Sequence, residues 1–485
     1  MESKTGVRAR GDLTGFVVVV SAIAAVGGIL FGFDTGVISG AILFIAKQWH
    51  LTSGQTEFAT SSVLIGAILG AVAGGALGDR LGRRLSIVVA TLLFLSGTAI
   101  VSVATGMAPF VIGRLLIGGA IGVASFMVPL YISEIAPASR RGGTVSLNQL
   151  AVTVGILVAY GVNYVFARSA NWHAMFAVGA VPGVVLLVGM YLLPETPRWL
   201  VARRRDEDAA GVLRKVRGRN DVSAELGEIR QEIQAEGGGR LSDLLAPSLR
   251  LPLLIGIGLA VLQQAIGVNT VVYYAPAIFK AAGLGSATAS IAATTGLGVV
   301  NVVMTVVAIW LLDRAGRKPL LLWSAAGMTV ALVVLGAGFA LRGGQGSPPG
   351  ALGRITGISL MVYIAAFAVG IGPVFWLLIA EIYPLKMRAV AMSAATVANW
   401  AANYVVAATF ISLAHLFGDA GIFWLYAAMG VLTFAFVLAL VPETKGKTLE
   451  EVQAIFAARR ARRLPPSRGA EAPGAPGWAK PRPAK

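Results

Sequence analysis

Residues 16–45 have the sequence FVVVVSAIAAVGGILFGFDTGVISGAILFI, an apolar stretch that is long enough to cross a lipid bilayer. Asp34 is the one charged residue in it. A carboxylate near the middle of a membrane costs about 2.5 to 3.5 kcal/mol, so such residues are found mainly where they serve a substrate or proton pathway. This stretch therefore predicts a membrane protein with a transport function.

A second charged residue, Arg114, lies in the fourth apolar stretch, just after Pro109. We expect it to be the counter-ion of Asp34, because ionisable side chains inside membranes commonly pair with one another. A purely structural alternative remains open from the sequence. In that alternative, Arg114 only marks the start of its helix and Asp34 only caps a kink.

The composition indicates an integral membrane protein. Of the 485 residues, 56% are hydrophobic and 13% are charged, which is about half the charged fraction of a typical soluble domain. Twelve apolar runs of roughly 20 residues or more predict twelve transmembrane helices, with both termini on one side of the membrane. The runs are 13–46, 57–77, 85–105, 107–131, 143–166, 172–192, 250–281, 287–312, 319–341, 352–382, 389–415 and 420–441.

The net charge of +17 does not indicate nucleic-acid binding, because the basic residues are sorted by side of the membrane. With both termini in the cytoplasm, only five of the 40 Lys and Arg residues fall outside. This distribution follows the positive-inside rule, so we expect a multi-pass plasma-membrane protein with cytoplasmic termini. The five residues are Lys47, Arg168, Lys280, Arg342 and Arg354.

The sequence contains no cysteine and only three histidines. Disulfides, thiolate catalysis and cysteine-ligated metals are therefore excluded. His50, His173 and His415 all lie near the expected outer ends of helices, so we do not expect a clustered metal site. No set of histidines or paired carboxylates shares a site, and we expect neither an enzyme nor a cofactor.

Three charged motifs occur twice, and this repetition predicts two pseudo-symmetric six-helix bundles. The motifs GDRLGRR, SEIAP and PETPR begin at residues 78, 133 and 194. Their counterparts DRAGRK, AEIYP and PETK begin at residues 313, 380 and 442. Parallel six-helix halves with a substrate site between them, near the middle of the membrane, are a known transporter architecture.

We therefore predict an all-α membrane protein with four parts. They are an N-terminal bundle (1–197), a cytoplasmic linker (198–249), a C-terminal bundle (250–442) and a cytoplasmic tail (443–485). Helical apolar spacing in 207–216 and 224–236 predicts short helices in the linker, with a disordered linker as the alternative. In the tail we expect a short helix and then disorder, because the residues after Phe456 are rich in Arg, Pro, Ala and Gly.

The paired motifs predict a cytoplasmic latch. Carboxylates can accept hydrogen bonds from arginines or from helix N-termini, and arginines can bridge to the opposite half. We expect this latch to hold the halves together when the substrate site faces outward; the alternative is that the charges only orient loops. The latch residues are Asp79, Arg83, Arg84, Glu134, Arg140, Arg141, Glu195, Asp313, Arg317, Glu381, Arg388 and Glu443.

With these motifs, the chain resembles the sugar porters of the major facilitator superfamily over about 450 residues. The motifs that carry the resemblance are GFDTG at 32–36, Gly113-Arg114, PETPRWL at 194–200, QQ at 263–264 followed by GVN at 267–269, and PETKG at 442–446. The resemblance implies the major facilitator fold and transport of a monosaccharide by alternating access. It also implies a monomeric functional unit in the lipid bilayer, with no nucleic-acid partner.

The resemblance further implies a set of sugar-binding residues, namely Gln149, Gln263, Gln264, Asn269, Asn301, Trp376 and Asn399. This set suits a hexose, because amides both donate and accept hydrogen bonds and an aromatic ring can cover the apolar face of a sugar. Possible pocket neighbours are Phe31, Ile156, Tyr273, Tyr274 and Trp400. Core packing is the alternative for each neighbour, and helix-to-helix bonding is the alternative for the amides.

The first-helix acid separates the subtypes of this family. Proton-coupled bacterial members carry Asp there, paired with the fourth-helix Arg, whereas animal facilitative carriers carry Asn. Asp34 and Arg114 follow the proton-coupled pattern, which implies symport with the proton as coupling ion. Ile156 and Asn399 resemble the glucose-type carriers and favour a hexose such as glucose over a pentose or polyol. An uncoupled facilitator and a non-transporting sugar sensor remain as alternatives.

Overall fold

The computed structural model describes residues 15–137, 141–235, 243–244, 246–284, 286–341, 350–447 and 449–461. The described residues form eighteen α-helices and no β-strand. The N-terminal half contains α1 (Gly15–Gln48), α2 (Ser53–Leu81), α3 (Arg83–Ser102), α4 (Met107–Ile135), α5 (Arg141–Ala167), α6 (Trp172–Ala177) and α7 (Ala180–Leu192). The linker contains α8 (Pro197–Ala202), α9 (Asp206–Arg217) and α10 (Ser223–Ala235). The C-terminal half contains α11 (Arg250–Ala265), α12 (Val268–Ala281), α13 (Ala287–Ala315), α14 (Arg317–Ala340), α15 (Ala351–Val369), α16 (Ile371–Ile382) and α17 (Leu385–Leu440), and α18 (Leu449–Ala461) follows it.

Eleven helical segments of the described residues are long and apolar enough to cross a membrane. One of them, in α17, contains Gly418 at φ 75° and ψ 164°, where the chain leaves the helical conformation. Gly418 separates the predicted runs 389–415 and 420–441, so α17 provides two crossings. The predicted all-α transmembrane fold is confirmed, with twelve crossings among the described residues.

Some predicted single helices are broken in the structure. The predicted seventh run divides at Gly267, which has φ 90° and separates α11 from α12. Only glycine adopts this conformation readily. A Cβ at Gly267 would also lie 2.5 Å from the ring of Tyr426. The sixth and tenth runs divide as well, between α6 and α7 and at Gly370 between α15 and α16.

Close backbone packing of α2 against α4 positions the buried charges. A Cβ at Gly66 would lie 2.2 Å from the carbonyl oxygen of Leu115, and a Cβ at Gly118 would lie 1.9 Å from that of Val63. Small residues at a helix interface allow two membrane helices to approach this closely. Arg114 lies one turn before Gly118 on α4, so this packing holds its side chain against α2.

Helix α1 packs in the same way on α5. A Cβ at Gly32 would lie 1.9 Å from the carbonyl oxygen of Val152, and Asn163 Nδ2 donates a hydrogen bond of 3.1 Å to the carbonyl oxygen of Gly36. These contacts bracket Asp34 on α1. The carboxylate is therefore carried by a helix whose position is fixed by its backbone neighbours.

The most extensive contacts between the two halves are those of α1 with α12, α2 with α17, and α5 with α13. We call the end of the bundle where α1 begins and where the linker helices lie the proximal end, and the opposite end the distal end. Tyr160 on α5 donates a hydrogen bond of 3.1 Å to the carbonyl oxygen of Val272 on α12. Near the distal end, Glu57 on α2 accepts two hydrogen bonds from Ser412 on α17.

The linker helices pack on the N-terminal half. Trp199 Nε1 and Arg203 Nη2 donate hydrogen bonds to the carbonyl oxygen of Asp79, at 3.1 Å and 2.8 Å. Arg217 Nη1 donates one of 2.9 Å to the carbonyl oxygen of Ile135. Helices α9 and α10 lie where the apolar spacing predicts them, and the described part of the linker is ordered. Of the tail after Phe456 that we expect to be disordered, residues 457–461 instead continue helix α18, and the remainder lies outside the described residues.

We expect Gly70→Ala to lower the midpoint temperature of thermal unfolding in detergent. A Cβ at Gly70 would lie 2.2 Å from the carbonyl oxygen of Gly119 on α4. Such overpacking typically costs about 1 to 3 kcal/mol. Gly75→Ala on the same helix is the matched control, because a Cβ there would meet nothing within 4 Å. Equal midpoints for the two variants would contradict the close packing of α2 on α4.

Candidate functional site

Asp34 and Arg114 form an ion pair in the interior of the N-terminal half. Arg114 Nη1 donates a hydrogen bond to Asp34 Oδ1, and the two side chains are 0% and 3% exposed. Arg114 Nη2 also donates one of 3.3 Å to the carbonyl oxygen of Thr60 on α2. The guanidinium carbon lies 5.8 Å from the centre of the Phe176 ring on α6. The pair thus connects four helices of one half.

The geometry does not fit the structural alternative for these two residues. Arg114 lies two turns inside α4, and Asp34 lies within the continuous helix α1. An ion pair removed from water is favourable only when its geometry is good, and removing one partner leaves a costly unpaired charge. The two charged side chains are therefore mutually dependent.

Four of the predicted sugar-binding amides form one hydrogen-bonded network in the C-terminal half. Asn269 Nδ2 donates to Gln264 Oε1 at 2.9 Å, and Gln264 Nε2 donates to Asn399 Oδ1 at 3.2 Å. Asn399 Nδ2 donates to Gln263 Oε1 at 2.7 Å. Gln263 Nε2 donates to the carbonyl oxygen of Ile371 at 3.2 Å. We call these four residues the amide network.

The break between α11 and α12 explains how the network assembles. Gln263 and Gln264 lie in the last turn of α11, and Asn269 lies in the first turn of α12, with Gly267 between the two helices. This turn allows Asn269 to contact Gln264, while Asn399 approaches from α17. The amide network therefore joins both sides of the broken seventh crossing to the eleventh.

Asn301 and Ile156 line a small cavity between the two halves. Its remaining lining residues are Tyr160, Val271, Val272, Leu297, Gly298 and Ile364. Asn301 Oδ1 is buried and has no hydrogen-bond partner among the described residues. The cavity is thus an apolar space with one unused acceptor.

Aromatic side chains surround the site from both halves. The Phe31 ring on α1 lies 5.4 Å from that of Trp400 on α17, measured between centres. Trp400 Nε1 is buried without a partner among the described residues. Trp376 on α16 is half-buried and packs edge-on against Phe375 at 4.9 Å. Gln149 lies half-buried on α5, and no hydrogen bond among the described residues joins it to the amide network.

Tyr273 and Tyr274 on α12 are both buried, and both hydroxyl groups are hydrogen-bonded. Asn403 Nδ2 donates to the Tyr273 hydroxyl at 3.4 Å, and the Tyr274 hydroxyl donates to the carbonyl oxygen of Ala407 at 3.1 Å. Tyr274 also hydrogen-bonds to Thr60 on α2 of the N-terminal half. Its ring stacks on Phe410 at 5.1 Å.

A cluster of charged residues ties together the proximal end of the N-terminal half. Arg83 Nε lies 3.2 Å from Glu134 Oε1, and Arg84 Nε donates to the carbonyl oxygen of Met190 at 3.0 Å. Glu195 accepts hydrogen bonds from the backbone N–H groups of Arg83 and Arg84, at the start of α3. Burial raises the pKa of the Glu195 carboxyl, although these N–H donors act in the opposite direction.

The C-terminal half repeats this cluster. Arg317 Nη2 lies 2.7 Å from Glu381 Oε1. Glu443 accepts 3.0 Å hydrogen bonds from the backbone N–H groups of Arg317 and Lys318, at the start of α14. Burial raises the pKa of Glu443, but the backbone N–H groups of Lys445, Arg317 and Lys318 outweigh it, and the pKa is lowered overall. In both clusters a glutamate thus accepts hydrogen bonds from the first backbone N–H groups of a helix, but the pKa of Glu195 is raised and the pKa of Glu443 is lowered.

The ion pairs found in the two clusters join residues of the same half. Asp79 also belongs to its own half, with Oδ1 3.8 Å from Arg83 Nη1. Arg388 is half-buried at the start of α17. Arg140 and the side chains of Arg141 and Asp313 lie outside the described residues. A latch between the halves thus stays a prediction for the state in which the substrate site faces outward.

Glu57 is a buried charged residue that the sequence analysis missed. Its side chain is 3% exposed, although it lies only four residues into α2. The predicted second run begins at residue 57, so an acid at the edge of an apolar run was the available signal. Its contact with Ser412, far along the chain, could not be read from the sequence.

Comparisons with known proteins agree on one kind of protein. Residues 20–456 match the protein family described as "Sugar (and other) transporter". The galactose-proton symporter of Escherichia coli (strain K12) is 38% identical over 93% of this chain and 96% of its own. The glucose transporter GlcP of Staphylococcus epidermidis (strain ATCC 12228 / FDA PCI 1200) is 38% identical over 90% and 96%. The partially occluded inward open structure of the xylose transporter XylE from E. coli matches with a TM-score of 0.78 and 34% identity, over 90% of this chain and all of that one.

We expect Arg114→Leu to destabilise the protein by about 3 to 5 kcal/mol, because it leaves the buried Asp34 carboxylate without its counter-ion. The double variant Asp34→Asn with Arg114→Leu should recover part of this loss, since it removes the unpaired charge. Thermal unfolding in detergent measures both. A single variant as stable as the double variant would show that the two charges do not depend on each other.

Proposed function

Because the chain belongs to the sugar transporter family, we propose that it carries a monosaccharide and a proton together into the cell by alternating access. The observation that carries this proposal is the buried Asp34–Arg114 pair, in a bundle whose other half holds the amide network. The N-terminal half thus provides an ionisable pair for the proton, and the C-terminal half provides polar side chains for the sugar. The related galactose-proton symporter supports the assignment.

In the proposed mechanism, Asp34 is the proton carrier and Arg114 is the group that responds. Ionised Asp34 holds Arg114 by charge and hydrogen bond, and through Arg114 it holds α1 to α4 and α2. Protonation of Asp34 removes the charge and weakens this link. The helices of the N-terminal half can then change their packing against the C-terminal half. Proton uptake is in this way linked to movement of the loaded carrier.

We propose that the sugar binds between the amide network, Trp376 and the cavity formed by Asn301 and Ile156. The amides supply donors and acceptors to hydroxyl groups, and a tryptophan ring suits the apolar face of a sugar ring. Ile156 makes one wall apolar, which favours a hexose such as glucose. A pentose or polyol is the alternative, since a relative carries xylose. Competition between these sugars for uptake ranks them directly.

We also propose that both termini and the linker are cytoplasmic, so that the distal end faces outward. The Glu57–Ser412 contact then describes a carrier that is closed to the outside. In the opposite conformation, the proximal clusters come together and form the latch. Glu134 Oε2, which is buried without a partner among the described residues, is an acceptor available for that purpose.

The first prediction from this proposal concerns coupling. Asp34→Asn preserves size and hydrogen bonding but cannot bind or release a proton. We expect sugar accumulation driven by a pH gradient to be lost in proteoliposomes, while exchange of labelled for unlabelled sugar persists because the amide network is unchanged. If the variant still accumulates sugar against its gradient, the proton site lies elsewhere.

An uptake assay of the parent protein, with and without a proton uncoupler, distinguishes a symporter from a facilitator. A symporter loses accumulation and keeps equilibration of the sugar. A facilitator of the same fold never accumulates sugar, and the uncoupler leaves its rate unchanged. That second result would remove proton coupling from the proposal and leave sugar transport in place.

The second prediction concerns the binding site. Gln264→Ala should weaken glucose binding by about 1 to 3 kcal/mol, because a buried polar site loses a hydrogen-bonding partner. Isothermal titration calorimetry measures the change. Gln231→Ala, at an exposed position of the linker helix α10, is the matched control and should bind as the parent does. Unchanged affinity in Gln264→Ala would place the sugar elsewhere.

A further inference from the structure

Glu57 is a buried acid outside the sugar site and outside the proximal clusters. It lies near the distal end of α2, and its side chain is 3% exposed. Both of its oxygens accept hydrogen bonds from a single residue of the other half. Ser412 donates its backbone N–H to Glu57 Oε1 at 2.7 Å and its hydroxyl to Glu57 Oε2 at 2.6 Å.

The buried Glu57 carboxylate depends on Ser412 for its hydrogen bonds. No Lys or Arg among the described residues forms an ion pair with it, and its titratable neighbours are the tyrosines Tyr274 and Tyr426. A carboxylate without a counter-ion is costly to bury unless hydrogen bonds replace its water. The groups that do so here both belong to Ser412. The carboxylate is therefore satisfied away from water only while α2 and α17 are together at the distal end.

The Glu57–Ser412 contact lies on the surface of α17 that faces the N-terminal half. Ala408 lies four residues before Ser412 on α17, so these two residues share one face of that helix. Trp400 contacts Phe31 of α1, and Ser412 contacts Glu57 of α2. This face of α17 is thus the surface that separates from the N-terminal half when the distal end opens.

We propose that Glu57 is a positioning residue of the distal gate, and that its two hydrogen bonds to Ser412 clasp the gate shut. The proposal deepens the proposed function, because it rests on alternating access. When the gate opens, water replaces Ser412 at the carboxylate. When it closes, the donors of Ser412 align α17 with α2. Glu57 thereby sets the balance between the open and closed distal end without contacting the sugar.

The test uses the absence of cysteine from the sequence. Ala408→Cys provides a single thiol on the gate face of α17. Its rate of labelling by a membrane-impermeant maleimide is measured in right-side-out vesicles, without sugar and without a pH gradient. We expect Glu57→Ala to raise this rate by at least about tenfold, because it removes both hydrogen bonds and the loss of a single bond to a charged group already corresponds to about that factor. Ser412→Ala should raise it less, since the backbone N–H remains.

Matched variants distinguish the clasp from a general loss of structure. Glu57→Gln keeps an acceptor for the backbone N–H of Ser412 and should label at a rate close to that of the parent. Thr409→Ala removes a hydroxyl that bonds only within α17, to the carbonyl oxygen of Val405, and should leave labelling unchanged. If Glu57→Ala fails to fold, Ser412→Ala against Thr409→Ala decides the matter. Equal labelling in that pair, or in Glu57→Ala and the parent, would overturn the clasp. Because the assay needs no sugar, failure of the symport proposal appears separately, in the uptake measurements.

Discussion

The fold depends on one constraint: a charged side chain that is buried in a membrane needs polar partners inside the protein. Arg114 is the clearest case, because its guanidinium is 0% exposed and reaches Asp34, Thr60 and Phe176 on three other helices. The arginine is a large buried side chain with no access to water. Its contacts therefore fix how α1, α2, α4 and α6 lie relative to one another.

Glycine allows that constraint to be met. A charged pair can be short only if the helices that carry it lie close together, and a side chain at Gly66, Gly118 or Gly32 would push the backbones apart. The same residue type also breaks helices where a turn is needed, as at Gly267 and Gly418. Small residues thus determine where the polar side chains meet, although they contribute none of the chemistry.

The sequence predicts the crossings well, because a bilayer sets a minimum apolar length and charges mark the ends. It also predicts the ion pair of Asp34 with Arg114, since an apolar bundle contains few other charged residues with which either one could pair. It does not predict the break at Gly267 or the Glu57–Ser412 contact, which depend on tertiary packing. The motif residues could be recognised, but the sequence does not show that Arg83 and Arg317 bond within their own halves.

The repeated capping carboxylates have a consequence for the symmetry of the molecule. Glu195 and Glu443 occupy equivalent positions, but burial raises the pKa of the first, and backbone donors lower that of the second. As the solution on the proximal side is acidified, Glu195 takes up a proton before Glu443 does. The start of α3 then loses its charged cap while the start of α14 keeps one. The two halves are thus alike in outline and unequal in their response to acid.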